Sequence, residues 1–215
     1  MPELPSHPIE QLTRVLLNKG RPGSRVTFFP SRKNGCSVAC GNLMQADYCV
    51  HLERRPDVRT YQCRPPTVCR NDLHYKADFL VTLNSGPAMY LKFLPPHDQC
   101  CARTRKQQLA VEAMIHDCDL LLGWLAPEDL LSPLVTSNLR YLYHHSFDSS
   151  ERAARKVRAQ VIALPERRAT FETLLAGGAS PADISHAIFL DELRINLQQH
   201  LTPQTMIYGD HDGHL

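Results

Sequence analysis

Hydrophobic residues between positions 26 and 145 occur in short runs separated by polar turns, which is typical of strands in a domain that also contains helices. These runs predict strands at residues 26–30, 36–40, 58–61, 67–69, 77–83 and 89–94, and a buried strand at 120–125. Helical spacing predicts helices at residues 43–52 and 107–116, and a third from Ser132-Pro133 to His145. This order predicts an α/β fold with a mixed sheet.

The pattern becomes mainly helical after residue 145. Residues 151–175 are predicted as helix interrupted at Pro165, Ser180-Pro181 starts a helix that continues to Leu201, and residues 202–208 are predicted as a strand. Helix, glycine turn, helix and strand are compatible with a winged helix-turn-helix. We therefore predict a flexible arm at 1–24, a first domain at 25–145, a small helical domain at 146–209 and a disordered tail at 210–215.

Composition narrows the class of protein only slightly. The chain has 215 residues, 43% of them apolar and 21% charged, which is ordinary for a soluble globular protein. A net charge of +2 gives no strong global attraction to nucleic acid, although basic residues cluster locally. The N-terminus does not resemble a signal peptide, and no apolar run reaches membrane-spanning length, so we expect a cytoplasmic protein. The eight cysteines contain no Cys-x-x-Cys pair and are expected to be reduced thiols.

The segment around Asp78 is the strongest candidate for chemistry. The motif Tyr75-Lys76-Ala77-Asp78 leads into the apolar strand Phe79-Leu80-Val81, and a second strand contains Lys92-Phe93-Leu94. Metal-dependent phosphodiester cleavage needs hard oxygen ligands for a divalent ion, and nucleases of the PD-(D/E)xK type place them on such a hairpin. The aspartate is present here, but the Glu-x-Lys expected on the second strand is not.

Further motifs occur in the order that the TnsA family shows. They are Phe29-Pro30-Ser31-Arg32-Lys33, Gln45-Ala46-Asp47-Tyr48, Leu52-Glu53, Pro56-Asp57-Val58, Arg64-Pro65, Tyr75 to Val81, Ser132-Pro133-Leu134 and Asn138 to Tyr143. By this order and spacing the chain resembles TnsA, the endonuclease subunit of heteromeric transposases. The segment Ala182 to Ile207 is similar to the C-terminal helical domain of that family.

The resemblance implies a restriction-endonuclease-like, PD-(D/E)xK core followed by a small, mainly helical, winged-helix-like domain. It places the catalytic positions at Gln45, Asp78, Lys92 and Leu94, and of these only Asp78 keeps the family residue. Gln45 brings no negative charge, Lys92 puts a positive charge where Mg²⁺ would bind, and Leu94 cannot hold a phosphate. We therefore expect Asp78 to pair with Lys76 or Lys92, and to bind a metal only if the site is active.

The resemblance predicts a cleavage-deficient component of a transposition machinery. Its expected partners are transposon-end DNA, a TnsB-like transposase and a TnsC-like AAA+ ATPase. Candidate DNA-binding residues are basic: Arg32, Lys33, Arg64, Arg103, Arg105 and Lys106.

Two alternatives remain open at this level. One is an active, Mg²⁺-dependent endonuclease that cuts 5′ transposon ends through a rearranged site, in which Lys92 does the work of the lysine and Glu53 or Asp47 replaces the lost glutamate. The other is a stand-alone DNA-binding regulator built on the C-terminal helices.

Overall fold

The structure, a computed structural model, describes residues 10–12, 26–70, 73–94, 102–117, 120–126, 130 and 132–209, with backbone alone for 10–12 and 102–104. The predicted tail at 210–215, most of the predicted arm, and Cys100, Cys101 and Cys118 lie outside these residues. Contacts divide the chain into two compact units, Met1–Leu130 and Leu131–Leu215, called here the N-terminal and C-terminal units.

The N-terminal unit contains nine described strands and two described helices. The strands are β1 Glu10–Leu12, β2 Thr27–Ser31, β3 Cys36–Cys40, β4 Val58–Cys63, β5 Thr67–Arg70, β6 Leu73–Tyr75, β7 Phe79–Leu83, β8 Met89–Phe93 and β9 Leu121–Leu125. The helices are α1 Leu43–Arg54 and α2 Ala102–His116. The central sheet has the order β4-β7-β8-β9. Its β4–β7 and β7–β8 pairs are antiparallel and its β8–β9 pair is parallel, so the predicted mixed α/β architecture is confirmed.

Two smaller sheets lie beside the central one in the same unit. The hairpin β2–β3 turns at Gly35, whose φ of 63° is the left-handed conformation that favours glycine. The second small sheet has the order β1-β5-β6. Its strand β1 lies inside the segment predicted to be a flexible arm, and it is held by antiparallel pairing with β5.

Local sequence signals explain the limits of α1. The Asn42 side chain caps the N-terminus by accepting a hydrogen bond from the Gln45 amide at 2.8 Å. The helix ends at Arg54, and Arg55 adopts an extended conformation as expected for a residue before proline. The predicted helix is therefore confirmed, with an end two residues later than the sequence indicated.

The strand β9 differs from its prediction in burial. Leu121 is 43% exposed and the remaining β9 residues are half-buried, whereas a buried strand was expected. Among the described strands only β8 pairs with β9, so β9 lies at the edge of the sheet. A Cβ built on Gly123 would lie 2.7 Å from Cδ2 of Leu91, its register partner, so glycine permits the close approach of these strands.

The C-terminal unit contains four described helices and two described strands. They are α3 Pro133–His145, α4 Glu151–Ile162, β10 Arg168–Thr170, α5 Phe171–Ala176, α6 Pro181–Phe189 and β11 Met206–Tyr208. Strands β10 and β11 pair antiparallel, and Arg194 forms an isolated antiparallel bridge with Tyr208. The first-domain prediction extended to residue 145, but α3 packs against α6 and so belongs to this unit.

Helix α6 is central to the C-terminal unit. Every residue from Ile184 to Phe189 is buried, and both α3 and α4 pack against this helix. The sequence predicted a helix as far as Leu201, which is wrong: α6 ends at Phe189, and Asp191 turns the chain with a left-handed φ of 62°. The apolar residues Leu193 and Ile195 are buried although they lie outside the helix, because burial does not require helical structure.

The membrane prediction was tested on helices alone. None of the helices in the described ranges combines the length and the apolar character that crossing a bilayer requires.

Candidate functional site

The backbone of Asp78 is fixed at the point where three strands meet. Asp78 precedes β7, its amide donates to Leu91 O of β8 at 2.9 Å, and its carbonyl accepts from the Arg64 amide at 2.7 Å. Arg64 follows β4 and has a left-handed φ of 52°, a conformation that costs a non-glycine residue about 1–2 kcal/mol. The backbone of Asp78 is therefore held between β4 and β8 at the start of β7.

Both oxygens of the Asp78 carboxylate have donors. Oδ1 accepts from Gln45 Nε2 at 2.9 Å, and Oδ2 accepts from the Phe93 amide at 3.0 Å. Lys92 Nζ lies 3.2 Å from the same Oδ2, with the side chains of Lys92 and Asp78 35% and 15% exposed. The structure thus brings together three of the four sequence-predicted positions, and Asp78 pairs with Lys92, which was one of the two expected partners. We call Gln45, Asp78 and Lys92 the Asp78 cluster.

The orientation of the Gln45 amide follows from its other neighbours. Its Oε1 accepts from the Gly41 amide at 2.8 Å and from Cys63 Sγ at 3.3 Å. A backbone N–H can only donate, so the oxygen must face Gly41 and the nitrogen must face Asp78. With this orientation the buried Gln45 side chain presents an N–H, and no oxygen, to the carboxylate.

The residues of the Asp78 cluster do not fit a Mg²⁺ ion. Such an ion prefers several oxygen ligands, usually including one or two carboxylates. Asp78 is the one carboxylate of the cluster, and its oxygens face an amide N–H and an ammonium group. Across the described ranges there is also no group of three His, Cys, Asp or Glu side chains that could hold a metal.

The fourth predicted position, Leu94, contributes only backbone. Its amide donates to Leu125 O at 2.8 Å, which continues the β8–β9 pairing past the end of β8. Its half-buried side chain offers no donor for a phosphate.

A second carboxylate, Glu53, lies on the same helix as Gln45 but in a different environment. Its Oε1 accepts from Ser31 Oγ at 2.5 Å and from Tyr61 OH at 2.8 Å, and its Oε2 accepts from the Lys33 amide at 3.3 Å. Glu53 is 5% exposed. These contacts tie the β2–β3 hairpin to α1 and β4, and we call them the Glu53 cluster.

The ammonium group of Lys33 serves the backbone in the same region. Nζ donates to Val58 O at 2.6 Å and also to Arg55 O, so it satisfies carbonyls beyond the end of α1. Burial lowers the pKa of Lys33, while the nearby carboxylates Glu53 and Asp57 oppose that shift. Ser31 and Lys33 of the first motif are therefore engaged in contacts within the unit, and the Lys33 ammonium is not presented to a ligand.

The other candidate DNA-binding residues lie in several places. Arg105 and Lys106 are exposed on α2, whereas Arg32 and Arg64 are half-buried. A Cβ on Gly41 would lie 3.4 Å from Arg64 Cδ, so this side chain covers Gly41 beside the Asp78 cluster. The backbone of Arg103 is helical, and its side chain lies outside the described part of the chain.

Sequence reasoning missed the residues that orient the cluster. Gly41, Cys63 and the Phe93 amide contact Gln45 or Asp78 but belong to no recognisable motif. Cys63 also lies near Cys40 and Cys49, whose sulfurs are 3.7 Å apart. The hydrogen bond with Cys40, together with burial, raises the pKa of the Cys63 thiol. Only the fold could reveal these contacts, because they join residues far apart in sequence.

Comparison with known proteins adds no assignment. No protein-family model matches the chain, and no curated protein is significantly similar to it. The TnsA resemblance therefore rests on the motifs alone.

Proposed function

We propose that the protein is a TnsA-like component of a DNA transposition machinery that binds DNA and protein partners without cutting DNA. The Asp78 cluster is the observation that carries this proposal. At the two positions where the resemblance expects acids, Gln45 places an amide nitrogen 2.9 Å from the Asp78 carboxylate and Lys92 an ammonium 3.2 Å from it. An ammonium repels a divalent cation, so the scaffold of a cleavage site remains without its metal-binding chemistry.

The surrounding elements support a restriction-endonuclease-like core. A nuclease of the PD-(D/E)xK type needs a helix position, a strand aspartate and a position on the next strand to converge. Helix α1 supplies Gln45, the start of β7 supplies Asp78, and β8 supplies Lys92, and their side chains are within hydrogen-bonding distance of Asp78. This convergence of residues 33 and 14 positions from Asp78 along the chain is what the resemblance requires.

A rearranged active site receives no support from Glu53. This carboxylate is enclosed by Ser31, Tyr61 and the Lys33 amide, and none of its hydrogen bonds involves the Asp78 cluster. The alternative of an active endonuclease that recruits Glu53 is therefore not proposed.

The C-terminal unit is proposed as a winged-helix-like module that binds protein. The order α4, β10, α5, α6, the Arg194 bridge and β11 matches that of a winged helix. In such a module α6 would be the helix that reads DNA, but it is buried between α3 and α4. A covered helix cannot enter a major groove. We therefore favour protein partners for this unit, a TnsC-like AAA+ ATPase and a TnsB-like transposase, over a stand-alone DNA-binding regulator.

DNA contacts are proposed for the exposed basic pair on α2. Arg105 and Lys106 are both exposed, and no ion pair involves either of them within the described ranges. Lys33 is withdrawn from this set because its ammonium binds carbonyl groups. Contacts of this kind act on phosphates and strengthen binding without sequence preference.

A binding titration tests this function. Fluorescence anisotropy of a labelled duplex is measured in Mg²⁺ over a range of salt concentrations, and the duplex is recovered afterwards to check its length. We expect salt-dependent binding to intact DNA. The double variant Arg105→Gln/Lys106→Gln should bind more weakly, with the slope of log K against log salt reduced by about 1 for each lost phosphate contact.

A matched pair in the C-terminal unit provides the control. Arg155 and Lys156 are adjacent, exposed basic residues on α4, so Arg155→Gln/Lys156→Gln removes the same charge, together with the exposed ion pair between Arg155 and Glu151. This variant should bind like the unaltered protein. Absence of duplex binding even at low salt, or equal losses in both double variants, would refute the proposed DNA contact.

A further inference from the structure

A cavity in the N-terminal unit lies beside the Asp78 cluster and shares only Lys92 with it. It has a volume of about 280 Å³, and its walls include His74, Tyr75, Lys76, Lys92, Gln107 and Trp124. Ligand pockets usually measure about 300–1,000 Å³, so this cavity suits a small ligand. Its position between β6, β8, β9 and α2 is within one unit of the fold.

The walls of the cavity are basic. Lys76 and Lys92 both line it, and no Asp or Glu is among the described residues that do so. Two carboxylates contact lining residues from outside: Asp78 pairs with Lys92, and Glu112 accepts from Trp124 Nε1 at 2.6 Å. The exposed Lys76 has no ion pair within the described ranges and is available to an anion.

Tyr75 forms a largely buried part of the cavity wall. The residue is 4% exposed, and its hydroxyl has no hydrogen-bond partner within the described part of the chain. This hydroxyl is closed to solvent, so a ligand in the cavity would contact other atoms of Tyr75 and not the hydroxyl. Burial, with smaller effects of Asp78 and Tyr90, raises the pKa of Tyr75, which keeps the hydroxyl protonated as a donor.

The cavity also offers contacts for an aromatic group. The half-buried Trp124 ring lies on one wall, and Gln107 beside it has an amide that can both donate and accept. Lysine donors beside an aromatic wall are groups that bind the phosphate and the base of a nucleotide.

We propose that this cavity binds a nucleoside 5′-monophosphate, with the phosphate on Lys76 and the base against Trp124. The nucleotide is either free or the phosphorylated 5′ terminus of a DNA strand, which share this chemistry. A free nucleotide could bind in the cavity even if the protein bound no duplex, so binding at this site can be tested separately from the proposed function.

Trp124 is the single tryptophan of the chain and a built-in reporter of binding. Thymidine 5′-monophosphate, thymidine and inorganic phosphate are titrated while its fluorescence is followed. Calorimetry repeats each titration, so that binding without a fluorescence change is also detected. We expect saturable binding of the monophosphate. It should bind at least about tenfold more tightly than thymidine, because thymidine has no phosphate to accept charge-assisted hydrogen bonds.

Two variants separate a ligand site from a structural one. Lys76→Gln should weaken binding of the monophosphate about tenfold, while the matched exposed-lysine variant Lys156→Gln should not change it. Trp124→Leu, followed by calorimetry, should weaken binding about fivefold or more, because the base loses its stacking surface.

Oligonucleotides distinguish the two sources of the nucleotide. Tighter binding of a 5′-phosphorylated strand than of thymidine 5′-monophosphate would identify a strand end, and the reverse would identify a free nucleotide. The proposal is overturned by equal binding of thymidine and its monophosphate, by inorganic phosphate binding as tightly as the monophosphate, by no binding of any probe, or by variants that bind as the unaltered protein does.

Discussion

The N-terminal unit holds two carboxylates, Glu53 and Asp78, whose neighbours differ in kind. Hydroxyl groups and a backbone amide surround Glu53, which is buried and connects a hairpin to a helix. Asp78 instead faces a glutamine amide and a lysine ammonium at the start of β7, next to a cavity. The contacts of Glu53 hold neighbouring elements together. At Asp78, replacing Gln45 and Lys92 would change the chemistry of the site.

The difference also divides the motifs of the TnsA resemblance. Ser31, Lys33 and Glu53 make hydrogen bonds that hold the elements of the unit together. Gln45 and Lys92 depart from the expected residues, and both contact Asp78. Under the proposed function, the structural part of the motif set is present and the cleavage chemistry is absent.

Rebuilding the metal site should have the largest effect. The variant Gln45→Glu/Lys92→Glu/Leu94→Lys places two further acids and a lysine around Asp78. We expect Mn²⁺-dependent nicking of supercoiled DNA at least about a hundredfold above background, because a bound metal stabilises the transition state by several kcal/mol. The same variant carrying Asp78→Ala is the control and should not nick. A folded rebuilt protein that gains no activity would contradict the idea of a preserved cleavage scaffold.

Removing Glu53 should destabilise the N-terminal unit more than removing Asp78. Glu53→Ala leaves the Ser31 and Tyr61 hydroxyls without their acceptor, and we expect a loss of about 3 kcal/mol in the free energy of unfolding. Asp78→Ala should cost about 1–2 kcal/mol, because its lysine partner can reach water. Urea unfolding followed by Trp124 fluorescence measures both losses in this unit. Equal losses would show that the two clusters do not differ in structural weight.

The ion pair itself should contribute little stability. Lys92 is 35% exposed, so Lys92→Met should change the free energy of unfolding by less than about 1 kcal/mol. Circular dichroism during urea unfolding gives this value. A loss above 2 kcal/mol, on the order of that for a buried pair, would mean that Lys92 is a structural residue like those around Glu53.

The smallest expected effect is on the pH dependence of stability, and it comes from His51, which belongs to neither cluster. Knowing this contribution allows the stability losses of the two clusters to be compared at different pH values. Burial, and next the neighbouring Arg54, lowers the pKa of His51 on α1. The unfolded chain therefore takes up this proton at a higher pH than the folded one. The His51 contribution is present above the unfolded pKa of about 6.5 and is lost as pH falls through the lower folded pKa. Urea midpoints at pH 7.5 and 5.5 should differ less in His51→Gln than in the unaltered protein; an unchanged difference would reject this role for His51.

The sequence predicted most of the elements but only part of the site. Apolar spacing indicates both the helix at Gln45 and the hairpin of Asp78. The limits of the helix follow from Asn42 and Pro56, which are local signals. The short strands β6 and β10 were missed because three residues are too few for a period to show. The end of α6 was missed because the apolar positions Leu193 and Ile195 are also buried outside a helix.

Side-chain neighbours across long sequence distances could not be read from the sequence. The motif placed Gln45, Asp78 and Lys92 at one site, yet it could not show which face of the Gln45 amide points at Asp78. That depends on the Gly41 amide and Cys63, which carry no motif. The unpartnered Tyr75 hydroxyl was equally hidden, because burial without a partner is a property of the folded surroundings.

Cleavage by the unaltered protein tests the central claim most directly. Supercoiled DNA is incubated with the full chain in Mg²⁺ and, separately, in Mn²⁺, and the same assays are run with Asp78→Ala. With Lys92 and Gln45 occupying the Asp78 carboxylate, we predict that neither protein nicks DNA with either ion. Nicking by the unaltered protein that disappears in Asp78→Ala would contradict the account and establish an active nuclease.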